Sequence, residues 1–426
     1  MSELRNWAGS TGRLLRHPVL RRMWPGLLVS AFGDGMSMVA VAWLAVHIAP
    51  EGQAGLWTGL AVGAYALPTP LGAALLAPLM RRLPAARLVA SDATLRAVTL
   101  GTVGVLAVTG SLAPIALVVL LAVSALLHAW GNAGTYTLIA EVLPEEDRVA
   151  GNALLSTFSQ ASFVAGPALA GGLTALSGPG WVIVVDAVSF AVLAVAAATV
   201  KTRRETHESA PTGGWRAVLD RPRLLGLIAV TCAFFFLYGP VEVALPVHVA
   251  EELRGSAGLL GLYWSVFSVG ATIGAFGAGL LRKRRPWPVI ACVILGWGLA
   301  LLPLGLTDAV VPGLAGMAVG GIIYGPFTAI TTGLFQRETP PELLSRVLAT
   351  RTALTTPATA LGTLLGGPLV TAVGGRVTLL LSAVVTIALG LAVAMVPRRE
   401  PTPGPAAGSG APEPALAEAG NGTPVA

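Results

Sequence analysis

Cysteine, histidine and charge are all scarce in this chain of 426 residues. Two cysteines and five histidines are present. Cys232 and Cys292 lie far apart, each inside an apolar run, so they read as small core residues and offer neither a disulfide framework nor metal-ligand spacing. No HExxH element occurs, and no nucleophile stands beside a base, which excludes the common forms of intramembrane protease or lipid transferase. A GxxxxGK[ST] loop is missing as well, and no polar stretch is long enough for an ATPase domain, which excludes ATP-driven work by this chain alone. No cofactor, no metal and no enzymatic activity are expected. Asp, Glu, Lys and Arg make up 11% of the residues against 54% apolar. A soluble domain has about 25% charged residues, so this composition points to lipid as the surrounding solvent.

What is present is a series of long apolar runs. A helix needs about 20 residues to cross about 30 Å of hydrocarbon. Twelve such runs are read, at roughly 24–48, 55–80, 88–110, 113–140, 149–177, 180–200, 224–250, 258–281, 288–306, 310–335, 347–374 and 377–396. They are long and apolar all round, unlike the short alternating strands of a barrel. The first follows a basic stretch and is too long for a cleaved leader, so it reads as a retained helix. With the N-terminus inside, 24 of the 27 Lys and Arg fall on one side, leaving Arg96, Arg254 and Arg376. Both termini are therefore expected in the cytoplasm, with the protein multi-pass in the cell membrane. The basic run "RKRR" at 282–285 is read as an orientation signal, and no nucleic-acid partner is expected.

The chain also repeats. Loop 4-5, "LPEEDRVAGNALLS", parallels loop 10-11, "TPPELLSRVLATRTAL", with Pro144 against Pro341 and Arg148 against Arg346. Gly166 and Pro167 stand against Gly367 and Pro368, so the offsets run from 197 to 201. Two homologous halves follow, giving a cytoplasmic segment 1–23, an N-terminal six-helix half 24–200 and a linker 201–223. A C-terminal half 224–396 and a tail 397–426, rich in Pro, Gly and Ala and expected to be disordered, complete the chain. The two Gly-Pro pairs are expected to interrupt their helices, because proline removes a backbone donor.

An ionised side chain at a helix centre costs about 2.5–3.5 kcal/mol on insertion scales, so each one needs a partner or a role. Four acids lie well inside the runs: Asp34, Asp92, Asp186 and Glu242. Asp92 and Arg96, four apart, share a helix face and are expected to neutralise each other as a structural or gating pair. Asp34 has no opposite charge within a turn. Ser30 and Ser37 continue its face, which must look into protein or a wet cavity. A carboxyl there can be neutralised by a proton, as coupled transport requires; a hydrogen-bonded structural Asp is the alternative. Glu242, in the outer part of its run below Tyr238, is a second proton-coupling candidate, and Asp186 a third that could reach the interface.

The chain resembles the major facilitator superfamily, and within it the bacterial branch of macrolide-efflux and enterobactin-exporter drug:proton antiporters. The resemblance rests on "FGDGMS", "ASDATLRA", "EVLPEEDRVAGNALLS", "GPALAGG", "VVDAVSF", "YGPVEVALPV" and "QRETPPELLSRVLATRTAL", spread over the first 396 residues. It implies an all-α membrane protein of twelve transmembrane helices in two pseudo-symmetric six-helix halves. It also implies that runs 1, 4, 7 and 10 line a central cavity, with Asp34, His128, Glu242 and Tyr324 on its walls. Asn132, Trp43, Tyr238 and Phe327 join them as substrate-cavity candidates. A mostly apolar surface with a few polar anchors suits amphipathic organic compounds. Gating or structural candidates are Asp92, Arg96, Arg81, Arg82, Arg148, Arg346, Gly166, Pro167, Gly367 and Pro368.

Three departures from the family pattern stand out. Loop 2-3, "GAALLAPLMRRLPAAR", keeps Gly72 and its arginines but lacks the usual Asp. Three residues rather than two separate Pro167 from Gly171. The Arg that many antiporters carry in run 4 is missing, with His128 close to its place. The expected function is proton-coupled efflux of small hydrophobic or amphipathic compounds, drug, antibiotic or siderophore-like, by a monomer whose partners are its substrate, protons and lipid. An importer or uniporter on the same fold, and a transport-inactive sensor or scaffold, are the alternatives.

Overall fold

A computed structural model of the chain describes residues 17–80, 82–200, 214–281 and 284–395. Met1–Ala394 form one compact unit; of a second, Met395–Ala426, only Met395 is described. Expectations for residues 1–16, Arg81, the linker stretch 201–213, Arg282, Lys283 and the tail lie outside the described residues.

The twelve runs are helical. Span 1 is Leu20–Ile48, span 3 Ala85–Val108, span 5 Glu145–Ser177 and span 6 Pro179–Ala198. Span 7 is Pro222–Val247 with a wider turn at His248–Glu252, and span 8 is Ala257–Gly277 closing in a tight turn at Ala278–Leu281. Span 9 is Pro286–Leu306, span 11 Pro341–Val373 and span 12 Gly375–Met395. Eleven of the twelve are long and apolar enough to cross a bilayer as helices, read through their breaks. The exception is span 2, in three pieces at Ala54–Ala66, Pro68–Leu75 and Ala77–Met80. Within the linker, Gly214–Leu219 form a short helix that packs on span 11.

Two other spans are broken, at corresponding places. Span 4 is Pro114–Ala125 then His128–Val142, and span 10 is Val310–Tyr324 then Pro326–Glu338. Pro326 supplies no amide hydrogen, which accounts for the break at Gly325. Span 4 has no such proline. Its break is held instead from span 2, where the Thr69 hydroxyl donates to the Ala125 carbonyl at 3.2 Å and Gly72 lies against the Leu126 carbonyl. A side chain at residue 72 would collide with that carbonyl. Gly72→Val is therefore expected to cost about 1–3 kcal/mol by overpacking, seen as a lower thermal midpoint in detergent. An unchanged midpoint would remove the role assigned to this contact.

The two Gly-Pro pairs do not interrupt their helices, contrary to expectation. Pro167 and Pro368 sit inside continuous helices. Transmembrane helices tolerate proline where neighbours and small local adjustments satisfy the freed groups. These pairs serve close approach instead. Gly166 meets the backbone of Gly35 on span 1, the Pro167 carbonyl meets Gly261 on span 8, and Gly367 meets Gly59 on span 2. Gly171 likewise packs on Gly258, whereas Gly172 touches nothing. The repeat shows again where spans 5 and 11 end, at Gly178 with φ 88° and Gly374 with φ 84°. Only glycine adopts that backbone readily, and it turns the chain directly into the next span.

Spans 1, 3, 5 and 6 pack together, as do 7 with 11 and 8 with 10; spans 5 with 8 and 2 with 11 join the two sets. The joining contacts concentrate at the end opposite the N-terminus of span 1, where Gly55, Gly59 and Gly63 meet residues 364–371. That end is further tied by Arg376, which binds Asp308 at 2.8 and 3.0 Å and donates its backbone N–H to Glu252, itself 2.5 Å from His248 Nδ1. At the other end Leu75, Val149, Phe276 and Leu280 on spans 2, 5 and 8 are largely exposed. Cys292 is exposed on span 9 rather than in the core.

Candidate functional site

The polar face of span 1 meets the rest of the polar interior through Arg96. This side chain comes from span 3, and it does not turn to Asp92 as the sequence suggested. It pairs instead with Asp34 across the gap between spans 3 and 1, and donates as well to the Tyr65 hydroxyl of span 2. Tyr65 in turn donates to Asp34 Oδ1 at 2.9 Å. The guanidinium lies over the Phe190 ring of span 6, 4.1 Å from its centroid, a cation–π contact in a desolvated place. Asp92 Oδ1 is buried with no hydrogen bond, and so is Arg96 Nε. Four residues apart on one helix, Asp92 and Arg96 stay neighbours without bonding. An exchange of partner by Arg96 therefore needs only side-chain movement.

His128 opens the second segment of span 4 and accepts from Arg96 Nη1 at Nδ1, 2.8 Å away. Arg has no acceptor, so Nδ1 is bare and Nε2 carries the hydrogen. Asn132 Nδ2 lies 3.3 Å from Nε2. With the proton placed on Nε2, the Asn132 amide is assigned with its oxygen toward the ring. Asp186, the third proton-coupling candidate, which could have reached the interface from the outer part of span 6, is 0% exposed. Ser37 of span 1 donates to it, and Ser189 lies 3.3 Å from Oδ1. Gly33 makes room for this carboxylate, since any side chain there would occupy its place.

A cavity of about 140 Å³ opens beside these groups, walled by spans 1, 3, 4, 5 and 6. Asp34, Asp92, Arg96, His128 and Asn132 all line it. Asp34 has 39% of its side chain exposed there while Arg96 has 4%, so the acid faces the cavity and the base stands behind it. The walls differ from the expected 1, 4, 7 and 10 set because Asp34 and His128 meet through span 3. Trp43 is not on this cavity: it is buried and packs on His47, ring centroids 4.6 Å apart. A second cavity, of about 270 Å³, lies between spans 8, 9 and 10, apolar apart from Arg284 and Arg337.

Tyr238, Tyr324 and Phe327 converge, but on a separate aromatic cluster of spans 7–10. Tyr324 stands at its hub, its ring centroid 5.7 Å from Tyr238, 5.8 Å from Phe234 and from Trp297, and 5.4 Å from Phe267. Phe327 packs on Phe234 at 4.4 Å. One turn beyond Tyr238, Glu242 is half-buried and accepts from the Thr363 hydroxyl of span 11 at 3.1 Å. The hydroxyls of Thr350, Thr352, Thr355, Thr359 and Thr371 on span 11 donate to carbonyls of their own helix.

Of the gating candidates, Arg148 Nε donates to the Leu143 carbonyl at 3.2 Å and closes the end of span 4. Arg346 is exposed on the first turns of span 11, and Arg82 is exposed in loop 2-3. Tyr65 and Phe190 were not singled out from sequence. Tyr65 had a usable signal, a phenol inside an apolar run of a chain with five tyrosines. Phe190 had none, because its partner, Arg96, comes from a distant span.

The family profile of the Major Facilitator Superfamily matches residues 23–307 and 241–422. The chain is 30% identical over 398 residues to the multidrug efflux pump Tap of Mycobacterium tuberculosis, covering 87% of this chain and 91% of that protein. A pump of the same name from Mycolicibacterium fortuitum is 26% identical over 407 residues, covering 90% and 96%. Among solved structures, the nucleoside transporter NupG superposes with a TM-score of 0.74 at 12% identity, covering 88% of this chain and 98% of that one. A bacterial homologue of the iron transporter ferroportin in its inward-facing state gives 0.65 at 18% identity, covering 89% and 99%.

Proposed function

The chain belongs to the Major Facilitator Superfamily, and we propose that it is a proton-driven exporter of small hydrophobic or amphipathic compounds, with Asp34 as its proton site. The observation that carries this reading is the Asp34–Arg96 pair with its acid side open to the cavity. Export is supported by the likeness to the Tap pumps. The basic residues favour cytoplasmic termini, and the cavity then opens inward while the glycine contacts close the outer side.

The coupling step follows from the hub. A proton on Asp34 cancels the charge that holds Arg96. The guanidinium then turns one helical step to the free oxygen of Asp92, which leaves the Asp34 side of span 1 without its tie to span 3. When the proton leaves to the cytoplasm, Asp34 recaptures Arg96 and the starting arrangement returns. Each proton moving down a potential of 100 mV releases about 2.3 kcal/mol, enough for a gradient of nearly fiftyfold. Asp186, bonded to Ser37 on the other side of span 1, serves as a second acid that senses the same movement.

Inverted vesicles carrying the protein should accumulate a transported dye when a pH gradient, acid inside, is imposed. Asp34→Asn should lower that accumulation at least tenfold while leaving downhill flux of the dye measurable. Accumulation that survives Asn at position 34 would sink the coupling role. Flux absent from the wild type across a panel of dyes, antibiotics and siderophores would favour the transport-inactive sensor.

A further inference from the structure

Asp34, Asp92 and Asp186 of the N-terminal spans lie around Arg96, but Glu242 does not. Its one hydrogen-bond partner among the described residues is the Thr363 hydroxyl. The nearest base along span 11 is Arg351, twelve positions before Thr363 and so about 18 Å down the helix. That side chain is engaged elsewhere, donating to Thr332 at 2.8 Å and Thr331 at 3.3 Å and lying over Phe335. A half-buried carboxylate at this depth is neutralised by a proton or by a cation from outside the protein.

The surroundings select which charge. Glu242 stands one helical turn beyond Tyr238, whose ring centroid lies 5.7 Å from that of Tyr324. Their rings belong to the cluster with Phe234, Phe267 and Trp297. An inorganic cation asks for several oxygen ligands, and one carboxylate with one threonine is a poor match. Aromatic faces attract a large, weakly hydrated cation and bury its apolar substituents at the same time. Both Tyr238 and Tyr324 keep part of their surface open.

We propose that Glu242, together with the rings of Tyr238 and Tyr324, binds the positive charge of an organic cation, so that the pump's cargo includes protonated or quaternary amines and their phosphonium analogues. The inference rests on the efflux reading for its physiological meaning but names its own residues. Drive and cargo then sit on different spans: the proton on span 1, the substrate cation on span 7.

Two ions of nearly the same shape and opposite charge test it. The purified full-length protein in detergent at pH 8 is dialysed to equilibrium against radiolabelled tetraphenylphosphonium or tetraphenylborate. The wild type should bind the phosphonium saturably and the borate at least tenfold more weakly. Glu242→Gln should weaken phosphonium binding at least tenfold, and Tyr324→Leu, which keeps the carboxylate, several-fold. Glu51→Gln, which removes an exposed acid in the loop after span 1, should leave it intact. Equal binding of both ions by the wild type overturns the proposal, as does unchanged phosphonium affinity in Glu242→Gln. If Glu242→Gln is not monodisperse, Tyr324→Leu and the comparison of the two ions decide. Proton-driven accumulation with phosphonium binding indifferent to residue 242 fails the cation site alone. Binding that requires Glu242 in a protein with no proton-driven flux fails the coupling reading alone.

Discussion

Arg96→Leu is expected to abolish transport and to lower stability more than any other single change among the polar residues. The guanidinium is 3% exposed, bonds Asp34, Tyr65 and His128, and is the nearest strong base to Asp34, Asp92 and Asp186. Its removal leaves the buried Asp92 and Asp186, and the partly exposed Asp34, without that counter-charge. Breaking a buried ion pair by deleting one partner costs about 3–5 kcal/mol, because the remaining charge stays desolvated. Asp34→Asn should cost less, since its side chain meets the cavity and Arg96 keeps Asp92 within reach. The double variant Asp34→Asn/Arg96→Leu should then be more stable than the sum of the two single losses, by ~1 kcal/mol or more. Thermal unfolding of the four proteins in one detergent measures this directly. Additive losses, or a wild-type midpoint for Arg96→Leu, would mean that the hub does not hold these spans together.

The second large effect is expected at the joint between spans 5 and 8. A Cβ on Gly261 would strike the Pro167 carbonyl and crowd Gly171, at the end where spans 5 and 8 join the two sets of helices. Gly261→Leu should therefore disfavour this arrangement while leaving the helices of each half undisturbed. Overpacking costs about 1–3 kcal/mol, which moves the balance between the two access states by about 5- to 150-fold. Transport should fall by a comparable factor. Ser159 lines the inner cavity and is exposed. A cysteine placed there, with Cys232 and Cys292 replaced, should label more slowly with an impermeant maleimide added to inverted vesicles once Gly261→Leu is present. Unchanged labelling together with unchanged transport would show that the joint tolerates a side chain and is not the moving contact.

The helical runs were legible because a bilayer asks for length and apolarity, both local properties of sequence. Span ends came within a few residues of the structure, and the repeat offsets located corresponding glycines and loops. The breaks at Leu67, Leu126 and Gly325 were not read. Two precede proline, which was expected to act at Pro167 and Pro368 instead. Whether a helix breaks depends on what neighbouring spans offer its freed carbonyls, and the Thr69 hydroxyl that holds the Ala125 carbonyl at the break of span 4 comes from another span. The acids were found for a similar local reason, since each stands out against an apolar background. Their partners were misassigned where the partner lies far along the chain: Asp34 and Arg96 are 62 positions apart, Ser37 and Asp186 are 149 apart. Spacing on one helix favoured Asp92 for Arg96, and packing between helices decided otherwise.

The separation of buried charge from buried aromatic surface bears on how such a protein can diversify. Three acids and Arg96 occupy spans 1, 3 and 6, while the ring cluster lies on spans 7 to 10. On the assignment made here, substitutions among the rings alter what is expelled without disturbing the source of power. A lineage exposed to new toxins can therefore change its repertoire in one half by single steps, while the other half stays under constant selection for a working proton switch.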